Sequence, residues 1–163
     1  MSDRSVEQIQ QLAIMHGYKV QHTTPLKIRG PERTKVGPTF RDWLRWHTDA
    51  RGALAELYRQ DWHGQSLEGS GVMRQAYVST TQPNVVKGWH LHAKQFDRFV
   101  CLRGRIMLAT YDLIDCAPAV SCQVLEPSRG LACVTIPPGV AHGWLALGNE
   151  EAWVLNLCSE QYD

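Results

Sequence analysis

The chain of 163 residues has only three phenylalanines and five cysteines, and no apolar run long enough to cross a bilayer. A helical membrane protein is therefore not expected. Asp3 and Arg4 open a polar terminus unlike a secretory signal, so the expected location is cytoplasmic. The cysteines, at 101, 116, 122, 133 and 158, are odd in number and form no Cys-x-x-Cys pair. That pattern excludes a secreted disulfide framework and reads as core thiols. Charge of one sign is also missing: 17 Lys and Arg oppose 16 Asp and Glu, for a formal net charge of +1. Neither a nucleic-acid nor an anionic-membrane footprint is expected from that balance. Helical text is scarce too, and this argues against a doubly wound α/β fold, whose crossovers need it.

What is present is a 44% apolar chain divided into short runs by turn residues. Val6, Ile9, Leu12 and Ala13 fall at helical spacing and predict one short helix, ended by Gly17. From residue 19 to 39 the text is polar and broken by Pro25, Pro31 and Pro38, which predicts an extended arm lying across the core or a partner subunit. Helix and arm, residues 1–39, are set apart from an all-β domain, residues 40–163. Strands are predicted over 53–59, 72–79, 85–92, 98–102, 105–111, 120–125, 131–136, 142–147 and 152–158. Short strands with almost no helix between them predict an antiparallel barrel or sandwich.

The densest chemical text is Lys87-Gly88-Trp89-His90-Leu91-His92, followed by Asp97. On a strand, His90 and His92 share one face and Trp89 and Leu91 the other. Asp97 begins the next strand, and His142 follows the Pro137-Pro138-Gly139 turn. His90, His92, Asp97 and His142 are a suitable set for one divalent Fe, Mn, Ni or Zn ion. Equally, a histidine of this group can bind an anionic sugar nucleotide or take a proton from a carbon beside a carbonyl. Tyr77 is a candidate proton donor if its hydroxyl faces the pocket. Trp144 offers a broad indole face for packing or for stacking on a base.

The run His90, His92, Asp97, Gly104 resembles the first motif of the cupin superfamily, with Asp in place of Glu. Gly130, Pro137, Gly139 and His142 approach the second motif. More closely, residues 49–160 resemble the dTDP-4-dehydrorhamnose 3,5-epimerase family. Asp49-Ala50-Arg51-Gly52, Gln75-Ala76-Tyr77-Val78-Ser79, Lys87-Gly88-Trp89-His90 and Ile136-Pro137-Pro138-Gly139-Val140-Ala141-His142-Gly143-Trp144 carry the likeness. The final Cys158-Ser159-Glu160-Gln161-Tyr162-Asp163 is somewhat similar to sugar-nucleotide 3,4-ketoisomerases.

The resemblance implies a cupin β-barrel, a homodimer and a dTDP-linked 4-keto-6-deoxy sugar as substrate, with no cofactor. It implies His90 as the base, Arg51 at the diphosphate and Glu56 at the nucleotide end. Gln75, Lys87 and His142 would line the pocket, Lys87 in place of an arginine. It sets Asp97 where the family has a lysine, Leu155 where it has a tyrosine acid, and Tyr77 where it has an asparagine. Three functions are therefore expected in competition: a sugar-nucleotide epimerase or isomerase for deoxysugar or polysaccharide synthesis, a mononuclear metallocupin enzyme acting on a small molecule, and a noncatalytic sugar-binding cupin.

Overall fold

The computed structural model describes residues 32–49, 52–59, 72–113 and 120–161. The helix expected near the N-terminus and most of the arm lie outside that range. The end of the arm is strand β1 (Glu32–Val36), which forms a hairpin with β2 (Thr39–Trp43). The chain turns there at Gly37, whose φ of +55° favours a residue without a Cβ. A second hairpin joins β3 (Trp46–Asp49) to β4 (Gly52–Ala55).

Eight further strands follow among the described residues: β5 (Gln75–Thr81), β6 (Val86–His90), β7 (Asp97–Arg103), β8 (Arg105–Asp112), β9 (Val120–Leu125), β10 (Ala132–Ile136), β11 (Val140–Leu147) and β12 (Ala152–Cys158). They form a six-stranded sheet in the order β1-β2-β10-β7-β12-β5 and a four-stranded sheet in the order β6-β11-β8-β9. All the pairings are antiparallel. Only a short 3-10 turn, Pro127–Arg129, breaks the strand pattern among the described residues. No helix among them is long and apolar enough to cross a membrane.

The six-stranded sheet is covered on both sides, which explains why all five residues of β10 are buried. Alternation sends Phe99, Cys101, Val134, Ile136 and Val154 inward, against Ile106, Leu108, Trp144 and Ala146 of the other sheet. Their neighbours Val100, Cys133 and Leu155 point outward, where Leu44, Leu131, Ala55 and Leu57 cover them. Truncating a fully buried member such as Phe99 costs about 3–5 kcal/mol by this logic. Three thiols are enclosed in these layers: burial pushes Cys101 up to about 11, and Cys133 and Cys158 up to about 12.

The strands over residues 32–49 were not foreseen. That text is charged and flanked by prolines, yet its ladder is held by pairing that composition conceals. Asp42 is 1% exposed because Arg33 grips it through Nε at 2.7 Å and Nη2 at 2.8 Å.

Candidate active site

Strand alternation relative to the core residue Phe99 places Asp97 on the inner face of β7. Its carboxylate is almost wholly buried, and each oxygen receives two donors. Oδ1 accepts from Gln95 Nε2 at 2.7 Å and from Asn156 Nδ2 at 2.8 Å. Oδ2 lies 3.2 Å from His92 Nε2 and 3.1 Å from His142 Nε2. A carboxylate has about four acceptor positions, so this one is saturated. Burial pushes the Asp97 pKa up, but hydrogen bonds from His142 and Asn156, with the charge of both imidazoles, outweigh it and hold the group below its ordinary value.

His142 also turns Nδ1 to the Val140 carbonyl at 3.0 Å. Both ring nitrogens therefore face oxygen acceptors. The ring suits two protons, or one proton with a cation held between Nε2 and Asp97. Ligand atoms of His92, Asp97 and His142 all lie within 4.8 Å of one another. Donors at right angles on a divalent ion, each roughly 2.1 Å from it, stand about 3 Å apart, close to the spacing of Asp97 Oδ2 from both rings. This trio therefore has the donor chemistry for Fe, Mn, Ni or Zn.

His90 stands beside the trio. It ends β6 directly opposite His142 in the ladder. The two backbones come close because Gly143 has no side chain: a Cβ there would sit 2.9 Å from the Lys87 carbonyl oxygen and 3.0 Å from Gly88 Cα. The His90 ring lies 5.8 Å from that of His142 and stacks on Trp144 at 6.0 Å and 25°. Burial, then the neighbouring charges of His142 and His92, lower its pKa below the ordinary imidazole value. The expected shared strand face of His90 and His92 does not form. β6 stops at His90, and His92 reaches Asp97 from the connecting segment.

The inner face of β5 supplies the opposite wall. Tyr77 pairs directly with Asn156 in the ladder, and its hydroxyl accepts from Asn156 Nδ2 at 3.0 Å. Burial raises the Tyr77 pKa. Lys87 reaches across to this strand, where Nζ donates to Ser79 Oγ at 2.8 Å and to the Thr80 carbonyl at 2.6 Å. Trp144 Nε1 donates to Thr81 Oγ1 at 3.0 Å. At 5% exposure Trp144 floors the site beneath His90 and has no open face for a base. Gln75 pairs with Cys158 at the start of β5.

Two expected contacts are not gathered here. Arg51 lies outside the described residues. Glu56 belongs to the segment whose Ala55 and Leu57 pack on the outer face of the six-stranded sheet, and Arg59 Nη1 stands 3.9 Å from its Oε2. Leu155 likewise packs outward, so the side chain that enters the site from β12 is its neighbour Asn156. Sequence reading missed Asn156 and Gln95. A lone amide in the apolar run Ala152-Trp153-Val154-Leu155-Asn156-Leu157-Cys158 was the available signal. A separate hollow of about 430 Å³ lies among Arg103, Arg105, Glu126, Ser128 and Asn149. It sits at the far ends of β7 and β11 and holds none of these groups.

The arrangement can move protons: a neutral imidazole and a phenol flank a buried network that fixes a charge between them. Comparison with known proteins gives the family. The chain is 32% identical over 123 residues to Agl13 of Haloferax volcanii, a probable low-salt glycan biosynthesis epimerase; the match covers 74% of this chain and 76% of that one. It is 31% identical to the spore coat polysaccharide biosynthesis protein SpsL of Bacillus subtilis, across 74% of this chain and 78% of that one. Its fold superposes with a TM-score of 0.70 on ChmJ, a 3′-monoepimerase from Streptomyces bikiniensis solved with dTDP-quinovose, covering 83% of this chain and 69% of that one at 21% identity. The family profile described as dTDP-4-dehydrorhamnose 3,5-epimerase matches residues 39–163, and the chain belongs to that family.

Proposed function

We propose that the protein is an epimerase or isomerase that moves a proton on a dTDP-4-keto-6-deoxyhexose, for deoxysugar or polysaccharide synthesis, without a cofactor. The observation that carries this reading is the pairing of Tyr77 with Asn156, beside the site that His90 closes from the other sheet. His90 Nε2 or Nδ1 takes the proton from the carbon next to the 4-keto group, and the electron pair passes to the ketone oxygen as an enolate. Tyr77 returns a proton to that carbon from the opposite side, and solvent restores the Tyr77 proton as His90 releases its own. Tyrosine on β5 and asparagine on β12 face each other, so the hydroxyl that the family likeness assigns to β12 is delivered here from the partner strand. Asp97 does not oppose an enolate as a bare charge, because two imidazoles and two amides saturate it.

Lys87, Gln75 and His142 line this pocket, and Arg51 is assigned to the diphosphate from the family likeness. A role for Glu56 at the nucleotide requires a second copy, since its segment lies across the sheet from His90. The homodimer that the family likeness implies would supply that copy. The test is proton exchange into dTDP-4-keto-6-deoxyglucose in deuterated water, followed by NMR at the carbons flanking the ketone. Wild type should exchange; His90→Asn should lose about 10²–10⁴-fold at every position. Tyr77→Phe should retain exchange but lose inversion. No exchange by the wild type on this class of substrate ends the proposal.

A second reading is favoured by the His92, Asp97 and His142 geometry. A divalent ion held by these three would make the protein a metallocupin, with His90 adjoining as the fourth ligand expected from sequence. Elemental analysis after purification without chelator decides it. About one ion per chain, lost in His92→Ala, supports the metal, and a metal-free protein that ignores added Fe(II), Mn(II), Ni(II) or Zn(II) removes it.

A further inference from the structure

We propose that Arg98 and Thr135 form a buried site for a small planar monoanion, a carboxylate or bicarbonate, on the outer face of the six-stranded sheet. Arg98 is fully buried on β7, and one edge of its guanidinium is spent within the fold. Nη1 donates to the Leu157 carbonyl at 3.0 Å and to the Val72 carbonyl at 3.3 Å. The Tyr58 ring covers the group at 5.2 Å. The other edge has no partner among the described residues: Nε and Nη2 are buried without a hydrogen bond, and so is Oγ1 of Thr135. Thr135 is the direct cross-strand neighbour of Arg98 on β10, on the same outer face of the sheet.

The Nε–Nη2 edge is the one that matches two oxygens of a carboxylate side by side. The same face of the sheet displays that use, where Arg33 holds Asp42 through this pair of nitrogens at 2.7 and 2.8 Å. Asp42 is thereby engaged. Among the described residues, Tyr58, Cys133, Cys158 and Asp97 act on Arg98, and none supplies its counter-charge on this face. Tyr58 and Cys133 are neutral at ordinary pH, Cys133 with a thiol pushed up to about 12. Asp97 points to the inner face with both oxygens filled. Glu56, on the segment that carries Tyr58, is the alternative: its Oε2 is also buried without a hydrogen-bond partner, and Arg59 stands 3.9 Å from it. A buried guanidinium edge without an acceptor is costly, and a planar oxyanion bound to Nε and Nη2, with Thr135 donating to one oxygen, satisfies all three groups together. Complete burial restricts the ligand to formate, acetate or bicarbonate size.

The test uses the full chain, without sugar nucleotide, in a zwitterionic buffer where sodium formate, acetate or bicarbonate replaces chloride at constant ionic strength. Thermal unfolding should shift upward with one of them and saturate, as binding to the native state requires. In parallel, NMR should show the buried Arg98 Nε–H resonance moving with the same apparent affinity. Thr135→Val should weaken that affinity by about tenfold, the loss expected for one hydrogen bond to a charged group. Arg98→Lys should lose the bidentate response. If Arg98 variants do not fold, the wild-type Nε–H titration decides alone. An Nε–H signal unmoved by all three anions overturns the site. An Nε–H signal that moves in Glu56→Gln with no anion added assigns the partner to Glu56 and also overturns it. The outcome is independent of sugar-nucleotide turnover, so failure here leaves the epimerase reading standing.

Discussion

Replacing Asp97 with alanine should destabilise the barrel by about 4 kcal/mol, and replacing it with asparagine by about 1–2 kcal/mol at most. The difference follows from what each donor can do afterwards. Gln95 and His92 are partly exposed and can turn to water when the carboxylate is removed. Asn156 and His142 are 2% exposed and cannot. Each orphaned buried donor costs about 1–3 kcal/mol, and breaking a buried charged pair costs about 3–5 kcal/mol. Asparagine keeps the shape: its oxygen can accept from Gln95 and Asn156 while its amide donates to the two Nε2 atoms, with the rings neutral. Only the charge-assisted share of two bonds is then lost, and relief of carboxylate burial offsets part of it. Chemical denaturation at pH 7 measures both variants. A midpoint change without a change in slope reports stability, and for a chain of this size 4 kcal/mol lowers Tm by roughly 8–16 °C. The pH dependence adds a sign. The folded Asp97 pKa is depressed, so its contribution is full above the unfolded value near 4 and is lost as pH falls through the folded value. Wild type should therefore lose stability below about pH 4 more steeply than Asp97→Asn. Equal costs for alanine and asparagine would refute the saturated-network account.

His90 must be neutral to act as a base, and its lowered pKa puts the acid limb of kcat/KM below the ordinary imidazole value of about 6.5. A limb at or above that pH in the exchange assay would assign the base elsewhere. Gly143→Ala should cost about 1–3 kcal/mol and reduce exchange, because the new methyl pushes the β6 backbone and His90 away from His142; a variant crystal structure with β6 unmoved contradicts this. Asn156→Leu and Leu155→Ala should separate cleanly. Both lower stability by about 2–4 kcal/mol, but only Asn156→Leu should impair inversion per folded molecule, since Leu155 faces away from the site.

Turn residues carried most of the barrel. β9 and β12 coincide with their expected limits, and β8 differs by one residue, because Gly104, Pro127 and Gly148 mark where strands stop; polarity alone would mislead in β9, which exposes Val120 and Val124 and buries Gln123. β1 to β3 escaped because their text is charged and interrupted by Pro38, so that the buried pair of Arg33 and Asp42 across the β1–β2 hairpin reads as two solvated charges. At the site, the histidines and Asp97 stood out by spacing, but their division of labour did not. Two residues of strand length decide whether His92 shares a face with His90 or reaches Asp97 from outside the strand. One residue of register likewise separates Leu155, packed outward, from Asn156 in the network. Arg98 gave no sequence signal at all, since a buried arginine reads as a surface charge until its neighbours are known.

The three enclosed thiols offer a timer for the way the barrel opens. Alkylation needs both access and thiolate, and burial denies both to Cys101, Cys133 and Cys158 while Cys122 is exposed. Each marks a different compartment: Cys101 lies between the sheets, Cys133 beneath the outer covering segment, and Cys158 beside Tyr77 and Asp97. Timed labelling read by peptide mass spectrometry therefore resolves partial openings by layer. Labelling of Cys133 ahead of Cys101 would report the outer covering lifting from an intact sandwich, and simultaneous labelling would report the two layers parting together.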